Sequence, residues 1–163
     1  MSLAEVDKAE FTRNIFGNAL LTVSYRHATA KLEGTDNVVL SEDGVLYSAT
    51  EFSEDIPTVK LPLGGPPALL TIAGNWRPES ISELAVYART HYPRADVKIV
   101  VDDRGSVCLN IGSGRVILGS CDDLQVKLKA LEAQLQTNPQ LLEQVQELNL
   151  MTPSAPALVS KKT

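Results

Sequence analysis

Residues 97–135, VKIVVDDRGSVCLNIGSGRVILGSCDDLQVKLKALEAQL, decide the fold of this chain. Runs rich in β-branched residues are separated by turn signals at residues 102–105 and 112–114, where aspartate and glycine tolerate the backbone angles of tight turns. Strands joined by such short turns pair antiparallel. The pattern therefore predicts a three-stranded meander formed by Val97–Val101, Val107–Ile111 and residues 115–118.

A helix is predicted directly after the meander. Ser120 and Asp123 match a capping box, which satisfies free backbone amides at a helix start. The leucines that follow repeat at helical spacing and predict a core-facing stripe of Leu124, Leu128, Leu131 and Leu135. A coiled-coil seam is the alternative, and a single helix of about four turns favours the core-facing stripe. This well-specified segment carries no catalytic group, which indicates a protein that works through its surface.

The first half of the chain predicts further strands. A turn signal at residues 16–18 precedes them, and the glycines and prolines of residues 64–67 end them. The strands are Ala19–Tyr25 with a continuation to Leu32 after the polar step at Arg26 and His27, two hairpin arms at residues 38–40 and 45–47, and a short extended segment at residues 58–63.

Two more helices and a late strand complete the prediction. Ser80 and Glu83 match a second capping box, and that helix ends before Pro93. Asn138 and Pro139 are typical of a helix start and predict a short third helix. Residues 145–150 are predicted to form a late strand.

This order of elements predicts an α+β protein with an antiparallel or mixed β-sheet and two to three helices packed on it. Consecutive hairpins give antiparallel pairing, and helices that interrupt them cover one face of the sheet. The alternative, a parallel doubly wound sheet, needs strict alternation of strands and helices, which this sequence lacks.

The composition excludes some classes of function. Of 163 residues, 44% are hydrophobic and 21% charged, as in a folded globular protein. The net charge of −5 and the absence of a Lys/Arg cluster argue against nucleic acid as a partner. The sequence has no apolar run of about 18 residues and no signal peptide. We interpret Met1, Ser2 and Leu3 as an expression leader.

No residues are assigned to catalysis, to a metal or to a cofactor. His27 and His91 share no motif, and the acidic pairs are interpreted as turn, loop and helix-start residues. The glycines of residues 112–114 precede a strand, whereas a phosphate loop precedes a helix. Cys108 is expected opposite Ile117 or Leu118, so the pairing of Cys108 with Cys121 in a disulfide is left open.

The late strand at residues 145–150 is followed closely by prolines, a pattern typical of the end of a sheet. An unpaired edge strand invites another chain to add a strand. Blunting of the edge by the C-terminal tail is the alternative.

Several motifs together resemble the extracytoplasmic part of the bacterial cell division protein family FtsQ, called DivIB in Gram-positive bacteria. Residues 18–30, NALLTVSYRHATA, resemble the family strand NTLxIxVxERxPxA. Residues 40–47 resemble the hairpin LVDxxGxxF, and Ile56-Pro57 the LP that follows. Residues 114–131 resemble the hairpin-helix GxxxxLGxxxxxxKLxxL, and residues 148–150 the late strand IDLR. The chain departs from these motifs at Ala28, Asn149 and Met151, which replace the family's Pro, Asp and Arg.

The resemblance covers residues 9–158 and implies three parts. Residues 1–30 would be a tag plus the C-terminal end of a POTRA domain. Residues 31–152 would be the family's β domain, and residues 153–163 a flexible tail. Lys127 matches the family's helix lysine, and we expect it to be an exposed residue.

The same resemblance implies a non-enzymatic divisome scaffold, which binds FtsB- and FtsL-type proteins and helps control septal peptidoglycan synthesis. The full-length protein would be anchored in the inner membrane by one N-terminal transmembrane helix. The part described by this sequence would lie on the outer face of that membrane, at the septum. The partner-binding edge carried onto this chain consists of Leu148, Asn149, Leu150, Met151, Ala157 and Leu158. The alternative function is a POTRA-associated protein-binding module of a secretion or envelope-assembly system.

Overall fold

The computed structural model describes residues 5–62, 77–93 and 95–160 and confirms the α+β class. The predicted break at residues 64–67 lies outside the described residues. The strands are β1 Val6–Arg13, β2 Ala19–Tyr25, β3 Ala28–Leu32, β4 Val38–Ser41, β5 Leu46–Ser48, β6 Thr58–Lys60, β7 Val97–Val101, β8 Val107–Ile111, β9 Gly114–Gly119, β10 Val145–Asn149 and β11 Ala157–Ser160. The helices are α1 Pro78–His91, α2 Leu124–Thr137 and α3 Leu141–Gln144.

Within the described residues, nine strands form one mixed sheet in the order β11-β10-β9-β8-β7-β6-β3-β4-β5. The pairs β3–β6, β6–β7 and β9–β10 are parallel, and the others are antiparallel. The predicted meander is confirmed as β7-β8-β9, and Cys108 lies opposite Ile117 as expected. The sequence of this meander therefore fixes the centre of the sheet.

Alternate residues of the central strands form the core. Val97, Ile99 and Val101 are buried on β7, and the same alternation continues on the neighbouring strands. The predicted leucine stripe of α2 packs into this core, with Leu124, Leu128 and Leu131 buried and Leu135 partly buried. Side chains of α1 join the same cluster, so the helices pack on the sheet as predicted.

Neither predicted capping box forms. Helix α1 begins at Pro78, before Ser80, because the fixed φ of proline suits the first turn of a helix. Asp123 precedes α2 in a left-handed conformation with φ of 55° and makes no side-chain cap. The Ser120 hydroxyl instead donates a hydrogen bond to Asp122 at 2.8 Å. Local backbone geometry at both starts thus overrides the sequence signature.

The third helix begins later than predicted. Helix α3 starts at Leu141 after Gln140, and Asn138 is the residue that ends α2. The Asn138 side-chain oxygen accepts a hydrogen bond from the Gln140 amide at 3.2 Å. Asn138 therefore stabilises the turn between the two helices and does not cap α3.

A separate two-stranded sheet precedes the nine-stranded one. Its second strand, β2, is predicted, but β1 is not, because residues 6–13 mix charged and apolar side chains. The predicted turn is confirmed, and the Asn14 side chain accepts hydrogen bonds from the Phe16 and Asn18 amides. The Arg26 guanidinium contacts the Val6 carbonyl oxygen and Asp43, and so links this hairpin to the larger sheet.

Gly114 allows β9 and α3 to approach closely. A Cβ atom at Gly114 would lie 2.6 Å from the backbone oxygen of Leu142. We expect Gly114→Ala to lower the free energy of unfolding by about 1–3 kcal/mol, because backbone must shift to relieve the overlap. Urea unfolding measures this, with exposed Ser24→Ala as the control. An unchanged midpoint for Gly114→Ala would show that α3 can move away at little cost.

Candidate partner-binding edge

In the described part of the chain this end of the sheet is β11 and not β10, so the predicted position of the edge is wrong. Strand β10 pairs with β9 on one side and with β11 on the other. Leu148, Asn149 and Leu150 therefore lie inside the sheet. Among the described residues, no strand pairs with the outer side of β11.

The chain reaches β11 through a compact turn. The Asn149 side chain accepts a hydrogen bond from the Met151 amide at 3.0 Å, and the Thr152 carbonyl accepts one from the Ala155 amide at 3.0 Å. This turn returns the chain antiparallel to β10. Residues 157–160 are thus a strand, where the sequence predicts a flexible tail.

Leu148 and Leu150 are core residues. Both side chains are fully buried, and the Leu150 amide donates a hydrogen bond to the Ile117 carbonyl at 2.8 Å. Neither side chain is free to contact a partner in the folded protein. Of the six predicted contact residues, only Met151, Ala157 and Leu158 lie exposed along this edge.

The edge strand exposes apolar side chains on both faces of the sheet. Leu158 is 50% exposed and lies opposite Leu148, on the face that the helices cover. Val159 is 46% exposed and lies opposite Glu147, on the other face. Met151 is 56% exposed at the entrance to β11. Val159 is not among the predicted contact residues, although the run ALVS after the last proline is itself a strand signal.

The other end of the sheet offers a shorter edge. Strand β5 has three residues, and its central residue Tyr47 is buried. The Tyr47 hydroxyl donates a hydrogen bond to the Arg26 carbonyl at 3.2 Å, which joins β5 to the base of the β1–β2 hairpin. Strand β11, with four exposed residues, is therefore the better template for an added strand.

Lys127 is buried, which contradicts the expectation of an exposed side chain. It is 3% exposed, and its Nζ donates a hydrogen bond to the Ser120 carbonyl at 2.8 Å. Burial lowers the pKa of Lys127 below its usual value, while Asp122 and Asp123 act in the opposite direction. The lysine joins the end of β9 to the start of α2 and cannot itself contact a partner.

Lys127 should give the protein a pH-dependent stability. A lysine whose pKa is lower in the folded state binds a proton on unfolding, so the free energy of unfolding rises as pH rises from the folded pKa towards the ordinary value of 10.5. We expect Lys127→Met to remove this rise. Urea unfolding over a pH series tests it, with the exposed Lys129→Met as control. A stability difference between wild type and Lys127→Met that is constant over pH would contradict the argument.

The histidines and cysteines lie apart. His91 packs against Tyr87, with Nε2 3.4 Å from Glu132, and His27 is exposed at the hairpin base. Cys108 and Cys121 are free thiols, and Cys108 accepts a hydrogen bond from Arg115 at 3.3 Å. In the part of the chain that the structure describes, no group of three or more His, Cys, Asp or Glu could hold a metal ion.

Comparison with known proteins does not assign the chain to a family. No protein-family model matches the chain, and no curated protein matches it. Within residues 5–62, 77–93 and 95–160, no helix is long and apolar enough to cross a membrane.

Proposed function

We propose that this chain is the extracytoplasmic part of an FtsQ/DivIB-type division scaffold and that it binds an FtsB- or FtsL-type partner by strand addition at β11. The observation that carries the proposal is the open β11 edge with exposed Leu158 and Val159 on its two faces. The five sequence motifs that resemble FtsQ/DivIB motifs, and that occur in the same order, support a role in cell division. In this role the protein assembles the septal machinery and helps control peptidoglycan synthesis, without an enzymatic activity of its own.

Typical free energies of hydrogen bonding and side-chain burial indicate how much the β11 edge contributes to binding. Each backbone hydrogen bond to an added strand stabilises the complex by about 0.5–1.5 kcal/mol net. Fully burying a Val, Leu or Met side chain that is already half buried adds roughly 1–1.5 kcal/mol, about half of the value for a fully exposed side chain. Association itself costs about 4–15 kcal/mol. Four residues of β11 therefore support modest affinity alone, and a tight partner needs further contacts beside the strand.

The partner strand should be apolar on both faces. A side chain next to Leu158 extends the helix-covered core, while one next to Val159 covers the opposite face of the sheet. A strand that alternates charged and apolar residues would leave one of these two side chains exposed. This pattern is the property to look for in the extracytoplasmic segment of the partner.

The function is tested by depleting the native protein in its own bacterium. We expect cells that elongate without septa, and rescue by wild-type protein but not by Leu158→Asp. Rescue by Val126→Asp, an exposed position on α2, is the matched control. Normal septation after depletion would contradict the proposal, and a defect confined to envelope assembly would favour the alternative module.

A further inference from the structure

Arg26 contacts both the β1–β2 hairpin and the nine-stranded sheet. It lies in the two-residue connector that leads from β2 to β3. Its backbone amide donates a hydrogen bond to the Glu5 carbonyl oxygen at 2.8 Å, and its guanidinium contacts the Val6 carbonyl oxygen. On the other side, its Nε lies 3.2 Å from the Asp43 carboxylate, and its carbonyl oxygen accepts a hydrogen bond from the Tyr47 hydroxyl at 3.2 Å. Arg26 therefore joins the base of the hairpin to the β4–β5 end of the large sheet.

The carboxylate of Asp43 is held in place by the large sheet. Asp43 lies in the turn between β4 and β5, where the hydroxyl of the buried Ser41 contacts its carboxylate. The same turn lies against the start of α1, because a Cβ atom at Gly44 would lie 2.7 Å from the Glu79 backbone nitrogen. Hydrogen bonds from Ser41 and Arg26 lower the pKa of Asp43 below its usual value. The carboxylate is therefore a charged acceptor in a fixed position.

Apolar packing does not hold the hairpin against the large sheet. Among the described residues, neither hydrophobic cluster of the protein includes a side chain from β1 or β2. A groove of about 270 Å³ is lined by residues of the hairpin base and of the β4–β5 turn, among them Tyr25 and Glu42. The orientation of the hairpin therefore depends on the connector and on the polar contacts of Arg26.

We propose that Arg26 is a clasp that fixes the orientation of the hairpin relative to the nine-stranded sheet. When Asp43 and Tyr47 no longer hold Arg26, the hairpin turns as a unit about the connector of residues 26 and 27. Its strand pairing and its contacts with Arg26 move with it, because both lie on the hairpin side of the clasp.

The strength of the clasp suits a reversible device. A partly exposed ion pair and one hydrogen bond together favour the closed orientation by about 3- to 60-fold. This preference is large enough to select one orientation, and a contact of similar strength elsewhere on the hairpin can reverse it. The clasp lies at the β5 end of the sheet and β11 at the other end. The clasp therefore goes beyond strand addition at β11 and can be tested separately.

Residual dipolar couplings of the backbone amides test the proposal on the whole chain. For the wild type, we expect couplings from the hairpin and from the nine-stranded sheet to fit one alignment tensor, as for a single rigid body. In Asp43→Ala, the hairpin couplings should need a second tensor of smaller magnitude, while those of the sheet stay unchanged. This variant leaves the contacts of Arg26 with the hairpin in place. Glu42→Ala is the matched control, because it removes the neighbouring exposed carboxylate of the same turn, and it should keep one tensor.

Tyr47→Phe removes the second contact of the clasp. It deletes the hydroxyl that donates to the Arg26 carbonyl oxygen and keeps the ring in its buried cluster. We expect the double variant Asp43→Ala/Tyr47→Phe to show the largest reduction of the hairpin tensor, since only the covalent connector then remains of the clasp.

Three outcomes would overturn the proposal. A wild-type chain that already needs two tensors would show that Arg26 does not fix the hairpin. A double variant that still fits one tensor would assign the fixed orientation to other contacts. Loss of the cross-strand contacts between β1 and β2 in Asp43→Ala would show that the hairpin melts instead of turning as a unit.

Discussion

Leu148→Asp is expected to unfold the nine-stranded sheet rather than to weaken a surface contact. Leu148 is fully buried on β10, opposite Val116 on one side and Leu158 on the other. An aspartate there loses the leucine packing and buries a carboxylate without a partner. The cost exceeds about 4 kcal/mol, a large share of the 5–15 kcal/mol by which a domain is typically stable.

Urea unfolding followed by circular dichroism measures the effect. We expect Leu148→Asp to lose the cooperative transition or to shift its midpoint far below that of the wild type. Leu158→Asp, the opposite residue on β11, should unfold within about 1 kcal/mol of the wild type because its side chain is half exposed. A Leu148→Asp protein as stable as the wild type would contradict the burial of β10.

Leu158→Asp is expected to weaken binding of an FtsB-type extracytoplasmic segment by about 30- to 150-fold. An added strand would enclose this side chain, so a carboxylate there must lose water without gaining a partner, at a cost of about 2–3 kcal/mol. Isothermal titration calorimetry with the partner from the same organism measures the loss.

Val126→Asp is the matched control for that titration. Val126 is 52% exposed, close to the 50% of Leu158, but lies on α2. The two variants introduce the same charge at nearly the same exposure, in different places on the molecule. Equal affinities for the two variants would remove β11 from the proposed interface.

The central sheet can be predicted from the sequence because its signals are local. Turn residues at 102–105 and 112–114 set the pairing of β7, β8 and β9 and place Cys108 opposite Ile117, one of the two residues expected there. The leucine spacing of α2 likewise predicts its buried face. Short turns and periodic apolar residues leave few alternatives, so a single sequence suffices for these elements.

The edge of the sheet cannot be predicted in the same way because it depends on a distant return of the chain. Pro153 and Pro156 suggest that the sheet ends after β10, yet the turn held by Asn149 leads into one more strand. Lys127 shows a different limit: three residues after Leu124 and four before Leu131, it lies on the buried face of α2, whereas its residue type is typical of an exposed position. The candidate site therefore lies one strand further out than predicted, on β11 instead of β10.

Hydrogen exchange of the chain, with and without the FtsB-type segment, tests strand addition most directly. An added strand would protect backbone amides on the outer side of β11, Ala157–Ser160, and leave β5, Leu46–Ser48, unchanged. That pattern, absent in Leu158→Asp, is the predicted result. Saturable binding that leaves the β11 amides unprotected would contradict strand addition at this edge.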